Sequence, residues 1–352
     1  MSDSDQEQNI PAHKDSTIEH FLDDVPVDTT QPRIPVVPEL GVALGLLVFV
    51  FSVTYIGATN TLTKDVKSDE MRIEAKLAGS ESNAQKTQNA FDDTRIEARS
   101  AIVWDVKNQK VLFNKNADDV RPLASVTKLM TALVAYELLL PDDRVTISLD
   151  DLKAEGDSGF VDGENFTMQN LMDLTLISSS NDGATALSSN VGQTITEDRN
   201  PDTVFVTAMN VKAEELGLTK THFENSTGLD LSPEKAGAYG SARDMALLME
   251  YIITNVNDAV ELTTSDVTTV NNEQGERHIV KNTNEVVNDI DGLIASKTGY
   301  TQLAGGNLVI AFNAGLNRPI VVAVLGSSQD GRFADTLDLV ERARLAVASD
   351  LE

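Results

Sequence analysis

The order of strand-like and helical sequence is the feature that most limits the folds open to this chain of 352 residues. Residues 100–105 and 110–113 are apolar, β-favouring stretches on either side of the turn 106–109, which predicts a hairpin. In the middle of the chain, apolar residues recur at helical spacing. Strand-like sequence returns after Ile279, and apolar residues recur again at helical spacing over residues 333–347. The pattern predicts a mixed α/β (α+β) domain whose closing helix packs on a sheet.

One short motif offers a nucleophile beside a base. Ser125-Val126-Thr127-Lys128 opens an apolar run that Pro141 stops, which predicts Ser125 in the first turn of a helix. Its backbone N–H is then free of helical partners, and the helix dipole favours developing negative charge. Lys128 follows one turn later, and burial would lower its pKa enough for the neutral amine to take a proton from Ser125. A capping serine with a solvated lysine is the simpler interpretation.

Two further motifs combine hydroxyl, amide and ammonium groups. Ser179-Ser180-Asn181 falls in a polar turn between helical stretches, where its side chains can face a cleft. Lys297-Thr298-Gly299 precedes β-rich sequence, which predicts the inner edge of a strand where glycine lets a substrate backbone approach. Taken singly, each motif is more simply interpreted as a cap or a turn.

The sequence also contains imitations of these motifs. Ser232-Pro233-Glu234-Lys235 repeats the serine–lysine spacing, but serine before proline predicts a helix N-cap. Ser188-Ser189-Asn190 imitates the second motif. The functional hypothesis therefore depends on the order and setting of all three motifs together.

In that order and setting, the motifs resemble those of the low-molecular-weight penicillin-binding proteins, the serine D-alanyl-D-alanine carboxypeptidases of bacterial cell walls. The similarity begins near Ile96, continues to the C-terminus, and includes the segments 122–131, 205–230, 241–246, 282–284 and 297–305. The resemblance implies the β-lactamase/D,D-peptidase-like transpeptidase fold over residues 94–352. That fold has an antiparallel five-stranded sheet flanked by helices, plus an all-helical subdomain.

The resemblance also implies roles for individual residues. Ser125 would be the nucleophile, Lys128 the general base and Ser179 part of the proton network, while Thr298 would bind the terminal carboxylate. The backbone N–H groups of Ser125 and Tyr300 would form the oxyanion hole. The implied substrate-binding residues are Asn181, Lys297, Thr298, Gly299, Tyr300 and Arg332. The implied reaction removes the terminal D-alanine of peptidoglycan stem pentapeptides through an acyl-enzyme, with β-lactams as covalent inhibitors and no cofactor.

Other function classes have less support. A β-lactamase or esterase on the same fold is an alternative, although residues 223–229 replace the Glu-x-x-Leu-Asn loop of class A β-lactamases. A catalytically silent wall-binding protein is another, disfavoured by the intact motifs. Only His222 and His278 lie outside the N-terminal tail and cysteine is absent, which disfavours a Ser-His-Asp triad and a metal site. We interpret His222 as packed or hydrogen-bonded. The net charge of -27 argues against nucleic acid as a partner.

The N-terminal region is predicted to tether the domain to a membrane. Residues 1–39 are acidic and proline-punctuated, which predicts disorder, and residues 63–93 have the composition of a stalk. Residues 40–62 are apolar and uncharged over about the length that crosses a bilayer, which predicts a single uncleaved anchor. Lys64 and Arg72 follow this span, and the positive-inside rule would place the domain in the cytoplasm. Because the implied substrate lies outside the cell membrane, we predict a cytoplasmic N-terminus and an extracytoplasmic catalytic domain.

Overall fold

The computed structural model describes residues 90–156, 158–195 and 200–350. Its strands are β1 (Ser100–Asp105), β2 (Lys110–Lys115), β3 (Arg121–Pro122), β4 (Arg144–Thr146), β5 (Asn165–Thr167), β6 (His222–Phe223), β7 (Ala238–Gly240), β8 (Val267–Asn271), β9 (Arg277–Lys281), β10 (Leu293–Thr301), β11 (Gly305–Asn313) and β12 (Pro319–Ser327). Its α-helices are α1 (Lys128–Leu138), α2 (Met168–Ser178), α3 (Asn181–Ile195), α4 (Pro201–Glu215), α5 (Ala242–Asn255) and α6 (Gly331–Ser349).

The predicted tail 1–39 and anchor 40–62 lie outside the described residues, as does the predicted stalk up to residue 89. Among the residues that are described, no helix has the length and apolarity needed to cross a bilayer. Phe91 is buried and stacks on Phe113 with ring centroids 5.3 Å apart. Packed structure therefore begins ahead of the boundary predicted at residue 94.

The main sheet is antiparallel and joins both ends of the described chain. Its strand order is β10-β11-β12-β1-β2. Ala323 of β12 pairs with Ile102 of β1 on one side and with Val309 of β11 on the other. The predicted five-stranded sheet and the hairpin β1–β2 are confirmed.

Helices cover both faces of this sheet because successive strand residues point to opposite sides. Val321 and Ala323 of β12 enter a large apolar core that they share with α5 and the helices α1 to α4. Val322 and Val324 enter a second core beneath α6. The closing helix, predicted over residues 333–347, lies within α6 and packs on the sheet as expected.

Two local predictions were wrong. Strand structure returns at Val267, earlier than Ile279, because β8 and β9 form a separate hairpin that buries little beyond Val270 and Val280. Ser232 begins a tight turn rather than a helix, since its N–H donates to the Lys235 carbonyl at 3.2 Å and the Lys235 N–H donates back at 3.2 Å. The serine hydroxyl accepts from the Lys235 N–H at 3.1 Å, so it caps a turn as it would cap a helix.

A buried carboxylate ties α6 to the start of the sheet. Asp335 accepts from the backbone N–H groups of Glu97 and Ala98 at 2.9 and 2.8 Å. It also accepts from Ser327 Oγ at 2.6 Å. The Ala98 N–H and the Ser327 hydroxyl are buried at these hydrogen bonds and need Asp335 as their partner.

We expect Asp335→Ala to lower the free energy of unfolding by about 3 kcal/mol, because it leaves the buried Ala98 N–H and Ser327 hydroxyl without an acceptor. Asp338→Ala is the matched control on the same helix. It removes a partly exposed ion pair with Arg342 and should cost less than about 1 kcal/mol. Urea unfolding of both variants measures the difference, and equal losses would contradict the assigned role of Asp335.

Candidate active site

Ser125 lies in a tight turn at the start of α1. The turn Ala124–Thr127 is a 3₁₀ helix rather than the first α-helical turn that the sequence predicted. Side chains three residues apart lie above one another in a 3₁₀ helix. Lys128 Nζ accordingly lies 3.0 Å from Ser125 Oγ. The local backbone therefore places an amine directly beside the serine hydroxyl.

The Lys128 amine is fully enclosed. Its side chain has no exposed surface, and Nζ donates to Asn181 Oδ1 at 2.7 Å and to the Thr227 carbonyl at 2.8 Å. Burial lowers the pKa of Lys128 to about 7. A neutral amine keeps two hydrogens for Asn181 and Thr227, which leaves its lone pair facing the Ser125 hydroxyl. This arrangement suits a general base at neutral pH.

The second motif occupies the junction between α2 and α3. Ser179 ends α2 with a left-handed backbone, φ 62°. Its Oγ accepts a hydrogen bond from Lys297 Nζ at 2.9 Å. Asn181 begins α3, and its Nδ2 donates to the Glu155 carbonyl at 2.6 Å while its Oδ1 accepts from Lys128. The junction thus contacts both lysines of the predicted site.

Lys297 lies on β10 with 1% of its surface exposed. Its ammonium also donates to the Thr298 carbonyl at 2.9 Å. Burial is the main cause that lowers the pKa of Lys297 well below the usual lysine value, and the nearby charges of Lys128 and Arg332 act in the same direction. Both lysines are therefore biased towards their neutral forms.

Gly299 brings β10 into contact with the turn Ala124–Thr127, here called the nucleophile turn after the role predicted for Ser125. A Cβ built on Gly299 would lie 2.9 Å from the Leu123 carbonyl and 3.1 Å from the Ser125 nitrogen, so a side chain cannot fit without movement. Arg332 is buried and its Nη1 donates to the Gly299 carbonyl at 2.9 Å. Tyr300 follows on the same strand with 41% of its surface exposed.

A buried asparagine attaches the segment before Ser125 to the sheet. Asn307 of β11 is fully buried, and its Nδ2 donates to the carbonyls of Pro122 and Leu123 at 3.0 and 2.9 Å. Its Oδ1 accepts from the Gly326 N–H at 2.8 Å. This side chain was not singled out in the sequence, because an asparagine within a strand carries no pattern of its own.

The site gathers Lys128, Lys297 and Arg332, and the charges of Glu285 and Asp330 act on Arg332. In the part of the chain that the structure describes, none of the three forms a salt bridge. An anion bound among these groups would favour their protonated forms and be attracted by them, because charge is poorly screened in a buried site. The arrangement can therefore activate a serine hydroxyl and hold a carboxylate beside it.

All of the residues predicted for the site lie on connected elements. The two other segments that match the motif spacings, 188–190 and 232–235, form no hydrogen bond or ion pair with them within the residues that the structure describes. Ser188 bonds Asp202 within the helical part, away from the motif contacts. The prediction that His222 is packed or hydrogen-bonded was wrong. Its side chain is 63% exposed, and its Nε2 lies 3.9 Å from Glu224 Oε1, which is too far for a hydrogen bond. The contacts of Thr227 and Thr283 were not predicted. Thr227 accepts from Lys128 through its backbone carbonyl, and Thr283 meets Thr298 only in the tertiary fold. No cluster of His, Asp and Glu arranged to hold a metal occurs among the described residues.

We expect Gly299→Ala to lower the free energy of unfolding by about 2 kcal/mol, because the new methyl group presses on backbone atoms of the nucleophile turn. Gly315→Ala is the control, since its added Cβ would meet nothing closer than 4.0 Å. Chemical denaturation compares the variants. Equal stability of the two would show that β10 does not constrain the turn.

Comparisons with known proteins agree with this geometry. The profile of the D-alanyl-D-alanine carboxypeptidase family matches residues 84–329. A D-alanyl-D-alanine carboxypeptidase of Bacillus subtilis is 30% identical over 253 residues, which are 70% of this chain and 62% of that protein's length. A D-alanyl-D-alanine endopeptidase of Haemophilus influenzae is 33% identical over 217 residues, which cover 60% of this chain and 69% of that protein.

A solved structure of a penicillin-binding protein of Listeria monocytogenes, in its cefotaxime-bound form, has a TM-score of 0.61 and 28% identity. The match covers 71% of this chain and 98% of that one. The likeness confirms the predicted D,D-peptidase-like fold. With a family profile that spans most of its length, the chain belongs to the D-alanyl-D-alanine carboxypeptidase family of serine peptidases.

Proposed function

We propose that this chain removes the terminal D-alanine of peptidoglycan stem pentapeptides through an acyl-enzyme on Ser125. The observation that carries the proposal is the 3.0 Å contact between the Ser125 hydroxyl and Lys128, whose pKa burial lowers to about 7. A serine hydroxyl becomes a good nucleophile when an adjacent base takes its proton. Lys128 is placed for that task, and family membership supports the same reaction.

Acylation begins when the neutral Lys128 amine takes the hydroxyl proton as Ser125 Oγ bonds to the carbonyl carbon of the penultimate D-alanine. The carbonyl electrons move onto oxygen, where the backbone N–H groups of Ser125 and Tyr300 donate to the oxyanion. Each such donor stabilises the transition state by about 3 to 4 kcal/mol. The contact between Gly299 and the nucleophile turn supports the pairing of these two N–H groups.

Collapse of the intermediate breaks the peptide C–N bond, and the leaving nitrogen needs a proton. We assign its delivery to Ser179, which donates its hydroxyl hydrogen to nitrogen and receives the proton that Lys128 had taken. Lys297 holds the Ser179 hydroxyl in place. A water molecule then attacks the ester while Lys128 takes its proton, and return of that proton to Ser125 Oγ releases the shortened peptide.

We assign the remaining residues of the site to binding the substrate, chiefly its terminal carboxylate. Thr298 supplies a hydroxyl donor, Arg332 supplies positive charge, and an anion bound here favours the protonated form of Lys297. Asn181 orients Lys128 and offers its remaining amide hydrogen to the substrate. Stem pentapeptides ending in D-alanyl-D-alanine carry the required carboxylate.

The same acylation step opens the ring of a β-lactam, so we also propose that benzylpenicillin binds covalently to Ser125 and leaves slowly. Fast deacylation in class A β-lactamases needs a glutamate that positions a water. Here Glu224 forms an ion pair with Lys235 at 2.8 Å, and none of its hydrogen bonds or ion pairs joins it to Ser125. This placement favours a penicillin-binding protein over a β-lactamase.

For the N-terminal region, we propose a single-pass anchor over residues 40–62, with residues 63–93 as a stalk and the catalytic domain outside the cell membrane. The length and apolarity of the segment support the anchor. The location of peptidoglycan supports the orientation.

Intact-mass measurement of the full chain in detergent with benzylpenicillin tests the proposed function. We expect a lasting adduct of one penicillin on the wild-type protein and none on Ser125→Ala, together with release of D-alanine from a stem pentapeptide. A fleeting adduct with consumption of penicillin would identify a β-lactamase instead. Absence of both the adduct and D-alanine release would reject the enzyme assignment.

The pH dependence of acylation tests Lys128 as the base. Because only the neutral amine accepts the Ser125 proton, the acylation rate should rise with pH and level off above an apparent pKa of about 7. The rate of acylation by benzylpenicillin, measured from about pH 5 to about pH 9, tests this dependence. A rate that is constant across that range would exclude Lys128 as the titrating base.

A further inference from the structure

Thr283 connects two walls of the candidate active site and has no part in the steps above. It follows β9, and its Oγ1 lies 2.6 Å from Thr298 Oγ1. Its backbone N–H donates to the Ile177 carbonyl at 3.1 Å, near the end of α2 and just before Ser179. One residue therefore contacts both the strand that carries Lys297 and the helix end that carries Ser179.

The segment around Thr283 is held by buried side chains. Asn282 donates to the carbonyls of Thr263 and Ser265 at 2.8 and 2.9 Å and accepts from the Asn284 N–H at 2.8 Å. Asn282 and Asn284 are buried, whereas Thr283 between them is partly exposed. The backbone on both sides thus fixes where the Thr283 hydroxyl stands.

Each of the two threonine hydroxyls carries one hydrogen, so only one of them can donate in the hydrogen bond between them. If Thr298 donates to Thr283, its hydrogen is used and cannot reach an anion. If Thr283 donates to Thr298, the Thr298 hydrogen stays available. The other acceptor near Thr283 is the Ile177 carbonyl, which is farther away at 3.4 Å. An anion at Thr298 selects the arrangement in which Thr283 is the donor.

We propose that Thr283 is a positioning residue that turns the Thr298 hydroxyl towards the terminal carboxylate of the substrate. It thereby sets the preference for a peptide with a free carboxylate over the same peptide ending in a carboxamide. A hydroxyl that receives one hydrogen bond donates a stronger one, and the gain is larger for a charged acceptor. The inference rests on the proposed function and deepens it.

The test compares kcat/KM for a D-alanyl-D-alanine peptide and for its C-terminal carboxamide, both assayed by release of the last residue. The acid-to-amide ratio should fall about fivefold in Thr283→Val, the loss expected for one hydrogen bond between neutral hydroxyls. Thr283→Ser keeps the hydroxyl and should keep the ratio. Thr269→Val makes the same change on an exposed residue of β8 and should leave the ratio unaltered. Thr283→Ala replaces the valine variant if valine prevents folding.

The outcomes separate the two levels of the proposal. A ratio unchanged in Thr283→Val, or equal losses for acid and amide, would overturn the role of Thr283 while leaving the carboxypeptidase assignment intact. Wild-type protein that releases no residue from either peptide would overturn the proposed function and this inference with it.

Discussion

The enclosure of cationic side chains around one serine is the constraint on which the site depends. Lys128, Lys297 and Arg332 are almost wholly removed from water, and none of them forms a salt bridge within the described residues. Burying an unpaired charge costs several kcal/mol, and a lysine lowers this cost by giving up its proton. The low pKa of Lys128, which suits the proposed role of general base near neutral pH, is therefore a direct consequence of its burial. An acidic neighbour would restore the ammonium and remove both the base and the anion site.

The sheet holds this arrangement rigid. Antiparallel pairing through β10, β11 and β12 fixes the register of Lys297. Asn307 on the neighbouring strand donates hydrogen bonds to the two carbonyls of Pro122 and Leu123, just before Ser125. Gly299 allows the strand and the nucleophile turn to meet at backbone distance. Catalytic groups held on strands and on the starts of helices keep their geometry better than groups on free loops. The large apolar core between the sheet and the helices supports that precision.

Local backbone strain appears at two points of the site. Ala124, next to Ser125, and Ser179, in the second motif, both adopt left-handed conformations with φ of 49° and 62°. Such conformations cost about 1 kcal/mol or more for a residue with a side chain, and surrounding structure must hold them. Ser179 turns the chain from α2 into α3, so its hydroxyl faces Lys297 while Asn181 faces Lys128. The strained residue lets one short motif serve both lysines.

The fold class, the hairpin β1–β2, the closing helix and the three motifs could be predicted from the amino-acid sequence, because hydrophobic periodicity and short spacing are local properties. The sequence also placed Arg332 in the site through resemblance, although its burial was not foreseeable. The extra hairpin β8–β9, the 3₁₀ turn at Ser125 and the exposure of His222 depended on tertiary packing. Asn307, Thr283 and the Thr227 carbonyl acquire their contacts only when strands and helix ends distant in the chain come together. The amino-acid sequence thus specifies which chemical groups are available, whereas tertiary packing sets their pKa values and hydrogen-bond partners, because both depend on distance and on exclusion of water.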